Sequence, residues 1–261
     1  MKIFFIGDVM GEPGRLVVKK HLSSLIPERG IDLVVLNGEN AAGGFGITPR
    51  IVKEFFEWGV DAITMGNHIW DVKEIEEFIC KEKRLIRPSN YPEGVPGEGK
   101  VIIEARNSVR VGVLQVMGQV FMPPLDCPFR TAKREVEKLR SETPVILVDI
   151  HGEATSEKQA MGWFLDGEVS AVVGTHTHVQ TADEKILTKG TAYITDVGMT
   201  GPTDSIIGIQ KDVALKKFLT HMPHRFKVAS GPALLCGVMI EVDERTGRGL
   251  AIERVQLSDT V

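Results

Sequence analysis

Short apolar runs recur along the chain, and each stops at a glycine or a polar cluster. Residues 3–6 run into Gly7-Asp8, 33–36 into Asn37-Gly38-Glu39-Asn40, and 62–65 into Gly66-Asn67-His68. Residues 145–148 lead through Asp149 and Ile150 to His151. Residues 171–173 lead to Gly174-Thr175-His176-Thr177-His178, and 192–194 to Thr195-Asp196-Val197-Gly198. Runs this short, and this rich in Val and Ile, predict strands buried on both faces. Helical stretches lie between them at 15–26, 51–58, 129–139, 157–165 and 211–218. Thr48 and Pro49 fit the N-cap and first turn of the second helix.

This alternation predicts an α/β fold with much parallel sheet. Residues 100–116 break the rhythm and read as two strands around a turn at Asn107-Ser108. Residues 234–242 and 249–257 read as a hairpin. The Pro- and Gly-rich stretch 88–99 reads as a surface loop. With no low-complexity tract or linker, residues 1–261 are expected to form one domain. Two similar βα halves packed into a central sandwich also fit the pattern.

Composition narrows the function. The formal net charge is −4, without the basic excess that an extended grip on nucleic acid needs. A small anionic ligand remains open if a metal supplies local positive charge. The three cysteines, Cys80, Cys127 and Cys236, form no CxxC pair, so a reducing cytoplasm is expected. The N-terminal apolar run is too short for a signal peptide. No run approaches the roughly 18 apolar residues of a membrane span.

Open α/β sheets bind ligands beyond the carboxyl ends of their strands. Those ends carry Asp8, Glu39-Asn40, Asn67-His68, His151 and His176-Thr177-His178. Carboxylates, amide oxygens and imidazoles are ligands for borderline first-row ions such as Mn, Fe, Zn and Co. Two ions roughly 3.5–4 Å apart need a bridging ligand, for which Glu39 and Asp8 are the candidates. Asn67, His151, His176 and His178 can fill the remaining positions. Of seven histidines, four follow strand-like runs. In an extended segment, the two histidines of HxH point the same way. Gly7, Gly38, Gly66 and Gly174 suit sharp turns. Each cluster alone has an ordinary reading: Asp8 as a helix cap, Glu39-Asn40 as turn residues, Asn67-His68 as a helix entry. Their joint occurrence at strand ends favours a dinuclear site.

The order of these blocks resembles the calcineurin-like metallophosphoesterase superfamily. Its usual blocks are Asp-x-His, Gly-Asp-x-x-Asp, Gly-Asn-His-(Asp/Glu), a lone His and Gly-His-x-His. Here Met10 stands where the first His is expected, and Glu39 stands where the bridging Asp is expected. One extra residue, Thr175, separates Gly174 from the HxH pair. These departures resemble the YmdB-like branch nearly end to end, including Gly-Asp-Val-Met-Gly, Asn-Gly-Glu-Asn-Ala-Ala-Gly-Gly and Thr-Met-Gly-Asn-His-Ile-Trp-Asp. The resemblance extends through Asp-Ile-His-Gly-Glu-Ala-Thr-Ser-Glu-Lys and Gly-Thr-His-Thr-His-Val-Gln-Thr-Ala-Asp.

The resemblance implies a metallophosphoesterase-type sandwich of mixed, largely parallel central sheets flanked by helices. It implies hydrolysis of 2′,3′-cyclic nucleotides to 3′-nucleotides by a metal-bridging hydroxide, with iron or manganese favoured over zinc or cobalt. Asn40 then becomes a metal ligand, Glu39 the bridge and His68 the catalytic histidine. One ion falls to Asp8, Glu39, Asn40 and His178, the other to Glu39, Asn67, His151 and His176. Asp71, Glu153 and Asp196 are expected to orient ligand histidines. Backbone N–H groups of loops 41–46 and 198–208 are candidates for a phosphate cradle. The expected partner is a small nucleotide, and the apolar C-terminal hairpin is a candidate homo-oligomer surface. Two other readings stand beside this one. The first is a broader phosphomonoesterase or phosphodiesterase. The second, prompted by Met10, is a metal-dependent regulatory protein that binds a nucleotide.

Overall fold

The first strand, β1 (Lys2–Ile6), shows why these runs contain no polar positions. Ile3 and Phe5 face one core while Phe4 and Ile6 face another. In the computed structural model, which describes residues 1–259, the chain continues through α1 (Gly11–Arg29), β2 (Leu33–Asn37), α2 (Pro49–Glu57), β3 (Ala62–Thr64), α3 (Ile75–Phe78) and β4 (Leu85–Ile86). Next come β5 (Lys100–Glu104), β6 (Arg110–Met117), α4 (Pro128–Arg140), β7 (Ile146–His151), α5 (Thr155–Phe164) and β8 (Ala171–Thr175). The last elements are β9 (Lys185–Ile186), β10 (Ala192–Ile194), β11 (Gly201–Pro202), α6 (Lys211–Thr220), β12 (Ala233–Val242) and β13 (Gly249–Ser258).

Two mixed sheets result. The first has the order β11-β12-β1-β2-β3-β4, with β13 also on β12; the second has the order β5-β6-β7-β8-β10-β9. Pairing is parallel from β1 to β4 and across β6, β7, β8 and β10. The flanking pairs are antiparallel. Ile3, Phe5, Leu33 and Val35 meet Val113, Leu147, Val173 and Ile194 between the sheets. On the first sheet's outer face, Phe4 and Val34 pack with Val18 and Leu22 of α1 and Phe55 of α2. On the second sheet's outer face, Leu114 and Val148 pack with Val136 of α4 and Met161 of α5. Four layers, helix–sheet–sheet–helix, therefore bury both faces of the central strands of each sheet. This is the expected α/β sandwich, and all six predicted strand runs lie in it.

Element ends differ from expectation in ways the local chemistry explains. Helix α1 begins at Gly11 and passes Pro27, reaching Arg29 before Gly30 caps it at φ 63°. Pro27 lies in the last turn, where its missing N–H costs the helix one ladder bond, to Ser23 O. Thr48 Oγ1 accepts from Ile51 N at 3.3 Å, which is the predicted N-cap. The short elements α3, β4, β9 and β11 carry too few residues to show any periodicity.

Candidate metal centre

The parallel strands deliver their following loops to one end of the sandwich. Asp8 follows β1, Glu39 and Asn40 follow β2, and Asn67 and His68 follow β3. From the second sheet, His151 ends β7, and His176 and His178 follow β8. All eight predicted site residues arrive in this region, so both sheets contribute to it.

Potential ligand atoms of Glu39, His151 and His176 lie within 4.8 Å of one another, as do those of Asp8, Glu39 and His178. Glu39 is common to both groups. Asn67 Oδ1 lies 3.1 Å from His151 Nε2, which joins Asn67 to the first group. Asn40 Oδ1 lies 3.3 Å from His178 Nε2, which joins Asn40 to the second. Asn40 Nδ2 donates to Gly44 O at 2.9 Å, turning the amide oxygen toward His178.

Neighbouring hydrogen bonds fix the tautomers of two of the histidines. Thr175 Oγ1 donates to Asp149 Oδ1 at 2.8 Å, so it accepts from His151 Nδ1 at 2.9 Å. His151 Nε2 is then an unprotonated acceptor. It faces Asn67 Oδ1, Glu39 Oε2 and His176 Nδ1, each at 3.1 Å. His178 repeats the pattern: Nδ1 donates to Ile207 O at 3.0 Å, leaving Nε2 facing Asn40. Asp8 is buried, and its Oδ1 finds no hydrogen-bond partner among the described residues. Potential ligand atoms converge here around a buried, unpartnered Asp8 Oδ1, an arrangement that a cation would satisfy.

The titration shifts agree. Burial, then the charges of Asp196, Glu39 and Asp149, raises the Asp8 carboxyl well above its usual range. Burial pushes His151 down to about 4 and also lowers His178. Both imidazoles are therefore neutral near pH 7, the form that binds metals. The donor set of carboxylates, amide oxygens and neutral imidazoles fits first-row metal ions.

Supporting groups match expectation only in part. Asp71 Oδ2 lies 2.7 Å from His68 Nδ1, and Glu153 Oε2 lies 3.2 Å from His176 Nε2. Among the described residues, Asp196 makes no hydrogen bond or ion pair with a histidine. Its Oδ2 instead accepts from Thr177 N at 3.0 Å, Thr177 Oγ1 at 2.6 Å and buried Lys158 Nζ at 2.8 Å. His151 is oriented by Thr175 and Asp149, which sequence reasoning did not single out. Asp149 also accepts from Thr64, Asn37 and Gln115. Lys158 and Thr175 lie inside the motifs that carry the family resemblance, the one available signal for them.

Three further expectations are corrected. The HxH segment is not extended: His176 and His178 have φ of 99° and 66°. Their convergence comes from a bend pinned by Asp8, which accepts from His176 N at 3.2 Å, and by Asp196. Gly7, Gly38, Gly66 and Gly174 all have ordinary φ, so they do not serve left-handed turns. At Gly66 the requirement is room, since a Cβ there would overlap Glu39 Oε2 and His151 Nε2. The flanking loops offer only part of the expected run of free N–H groups. Gly44 N donates to Asn40 O and Gly208 N to Ser205 Oγ. Met10, at the departed His position, packs with Ile209 and Ala214.

A cavity of about 280 Å³ opens beside the centre. Glu39, Asn40, His68, His176 and His178 line it, together with apolar residues including Phe45, Ile207 and Phe226.

The profile of the YmdB-like protein family matches residues 4–255. The chain belongs to the YmdB-like family. A Bacillus subtilis (strain 168) protein named 2′,3′-cyclic-nucleotide 2′-phosphodiesterase is 50% identical over 259 residues, 99% of this chain and 98% of that protein. That name agrees with the expectation of a hydrolase. Two solved structures share the YmdB-like architecture. A hypothetical protein from Thermus thermophilus superposes with TM-score 0.93 at 44% identity, covering 99% of both chains. A Mycoplasma pneumoniae structure described as a novel phosphatase gives TM-score 0.92 at 34% identity, covering 99% of this chain and 93% of that one. No helix among the described residues is long and apolar enough to cross a membrane.

Proposed function

We propose that this chain is a metal-dependent phosphodiesterase that opens 2′,3′-cyclic nucleotides at the 2′ ester, leaving 3′-nucleotides. The observation that carries this reading is the position of Glu39. It is common to two groups of potential ligand atoms, and the amide oxygens of Asn67 and Asn40 adjoin one group each. The Bacillus relative's name supplies the substrate class.

Asp8, Glu39, Asn40 and His178 would hold one ion, and Glu39, Asn67, His151 and His176 the other, with iron or manganese preferred to zinc or cobalt. Two such ions, when bound, supply Lewis acidity and a water whose pKa falls to about 7. The chain's own task is to orient and to move a proton. The two oxygens of Glu39 fix the spacing of the two groups. Asp71 occupies His68 Nδ1 and leaves Nε2 to protonate O2′ as its bond to phosphorus breaks. Residues 1–261 act as one unit in this reading, because neither sheet holds a complete ligand set.

The Mycoplasma relative's description as a phosphatase favours a second, broader reading. Turnover of 2′,3′-cyclic AMP and of a phosphoserine peptide by one preparation separates the two. The proposal expects the cyclic nucleotide to be strongly preferred, and comparable rates would sink it.

A further inference from the structure

The cavity beside the centre has two unlike sides. On one side are the candidate ligands. On the other are Phe45 and Phe226, whose rings lie 6.5 Å apart and within 20° of parallel. Phe45 also packs edge-on to His68, with ring centroids 4.9 Å apart. The aromatic pair therefore adjoins the group assigned to the leaving oxygen. Lys217 Nζ sits 4.3 Å from the Phe226 ring centroid and anchors that ring by a cation–π contact.

Ile207 completes this side. It has φ of 47°, a left-handed conformation that a β-branched residue adopts only under constraint. Its carbonyl takes the His178 Nδ1 proton at 3.0 Å, while its side chain stays 53% exposed in the cavity wall. Strain of this kind persists where the surroundings enforce it, often at ligand sites. Here one residue fixes a candidate ligand with its backbone and presents an apolar side chain to the cavity.

The geometry points to a nucleobase subsite formed by Phe45, Phe226 and Ile207. The inference rests on the cyclic-nucleotide reading: with phosphate at the ligand cluster, the base extends toward the apolar side. These three side chains carry no hydrogen-bonding group, so they cannot read a base's polar edge. Stacking on aromatic faces serves any base, because every base has a π-face. The subsite should therefore add affinity for all four nucleotides with little discrimination among them.

Calorimetric binding of 3′-AMP, 3′-GMP, 3′-CMP and 3′-UMP, with ribose 3-phosphate as the baseless control, tests this. Phe226→Ala should weaken all four nucleotides by roughly five- to hundredfold and leave ribose 3-phosphate within about twofold. Phe226→Trp should restore nucleotide binding, which a merely structural role for Phe226 would not predict. Equal loss for ribose 3-phosphate, or unchanged nucleotide binding, would overturn the subsite. Hydrolysis of 2′,3′-cyclic AMP by the unaltered protein is measured in the same preparation. Turnover with base-insensitive variants removes only the subsite; absence of turnover removes the functional reading and the subsite with it.

Discussion

His151 Nε2 faces Asn67 Oδ1, Glu39 Oε2 and His176 Nδ1 at 3.1 Å while Thr175 and Asp149 keep its proton on Nδ1. Orientation by such a partner commonly contributes ten- to hundredfold in metal affinity. Thr175→Val keeps the side-chain volume and removes the hydroxyl. It should weaken metal retention by roughly that factor, measured as metal per chain after dialysis against graded chelator; unchanged retention would show that Thr175 does not act through His151. His68→Ala should lower kcat by roughly 10²–10⁴-fold with metal content intact, because His68 is assigned to the proton and not to the ions. At this scale the sequence was informative about residues that end strands. Asp8, Glu39, Asn67, His151, His176 and His178 each interrupt an apolar run with an oxygen or nitrogen donor. Thr175 and Lys158 gave no such signal. A threonine closing a strand looks like any β-former, and a lysine on α5 looks like solvated surface until its contact with Asp196 is seen.

Among the elements, α4 is tied to the edge strand β5 by one carboxylate. Glu135 meets Lys100 at 2.5 Å and Arg134 and Lys138 at 2.9 Å, and is itself buried. Burial works against its ionisation, but these three cations pull its pKa from 4.5 to about 2. A depressed carboxyl pKa stabilises the fold above the unfolded-state value, and the benefit is lost as pH falls toward the folded-state value. Glu135→Gln should therefore cost about 1–3 kcal/mol at neutral pH. The difference from the unaltered protein should shrink as pH falls below 4.5 toward about 2. Denaturant melts at pH 7 and pH 3.5 check the sign, and a gap that widened in acid would contradict it. Strands and helices of ordinary length were legible because each buries whole faces. The approach of the HxH pair was not, since it depends on a loop bent through two positive φ values and held by acids from distant strands. The loops after β2 and β10 looked like phosphate cradles because they are rich in glycine; most N–H groups of the second, and half of those in 41–46, are used within the protein.

In the whole molecule, both sheets supply residues to the centre. Asp149 lies beneath it, accepting from Asn37 and Thr64 of the first sheet and from Gln115 and Thr175 of the second. Ions held by ligands from both sheets should therefore stabilise the whole sandwich against unfolding. At about 100-fold excess over Kd, binding contributes about 2.7 kcal/mol, which for a chain of this size raises Tm by roughly 5–10 °C. Adding manganese to chelator-treated protein in a thermal melt checks this, and an unchanged Tm would show that the acceptor clusters do not bind the ion. The α/β architecture and the placement of the clusters at one end of the sandwich followed from the repeated pattern of apolar run and polar stop. The division of ligands between two packed sheets did not, because short runs do not reveal which strands pair. The central claim is that these clusters hold the metals with which the chain opens 2′,3′-cyclic nucleotides. Metal content by mass spectrometry and turnover of 2′,3′-cyclic AMP, measured on one preparation before and after chelation, test it most directly. The account predicts about two first-row ions per chain and formation of 3′-AMP that disappears with the metal and returns with it. Metal-free protein with undiminished activity would contradict it.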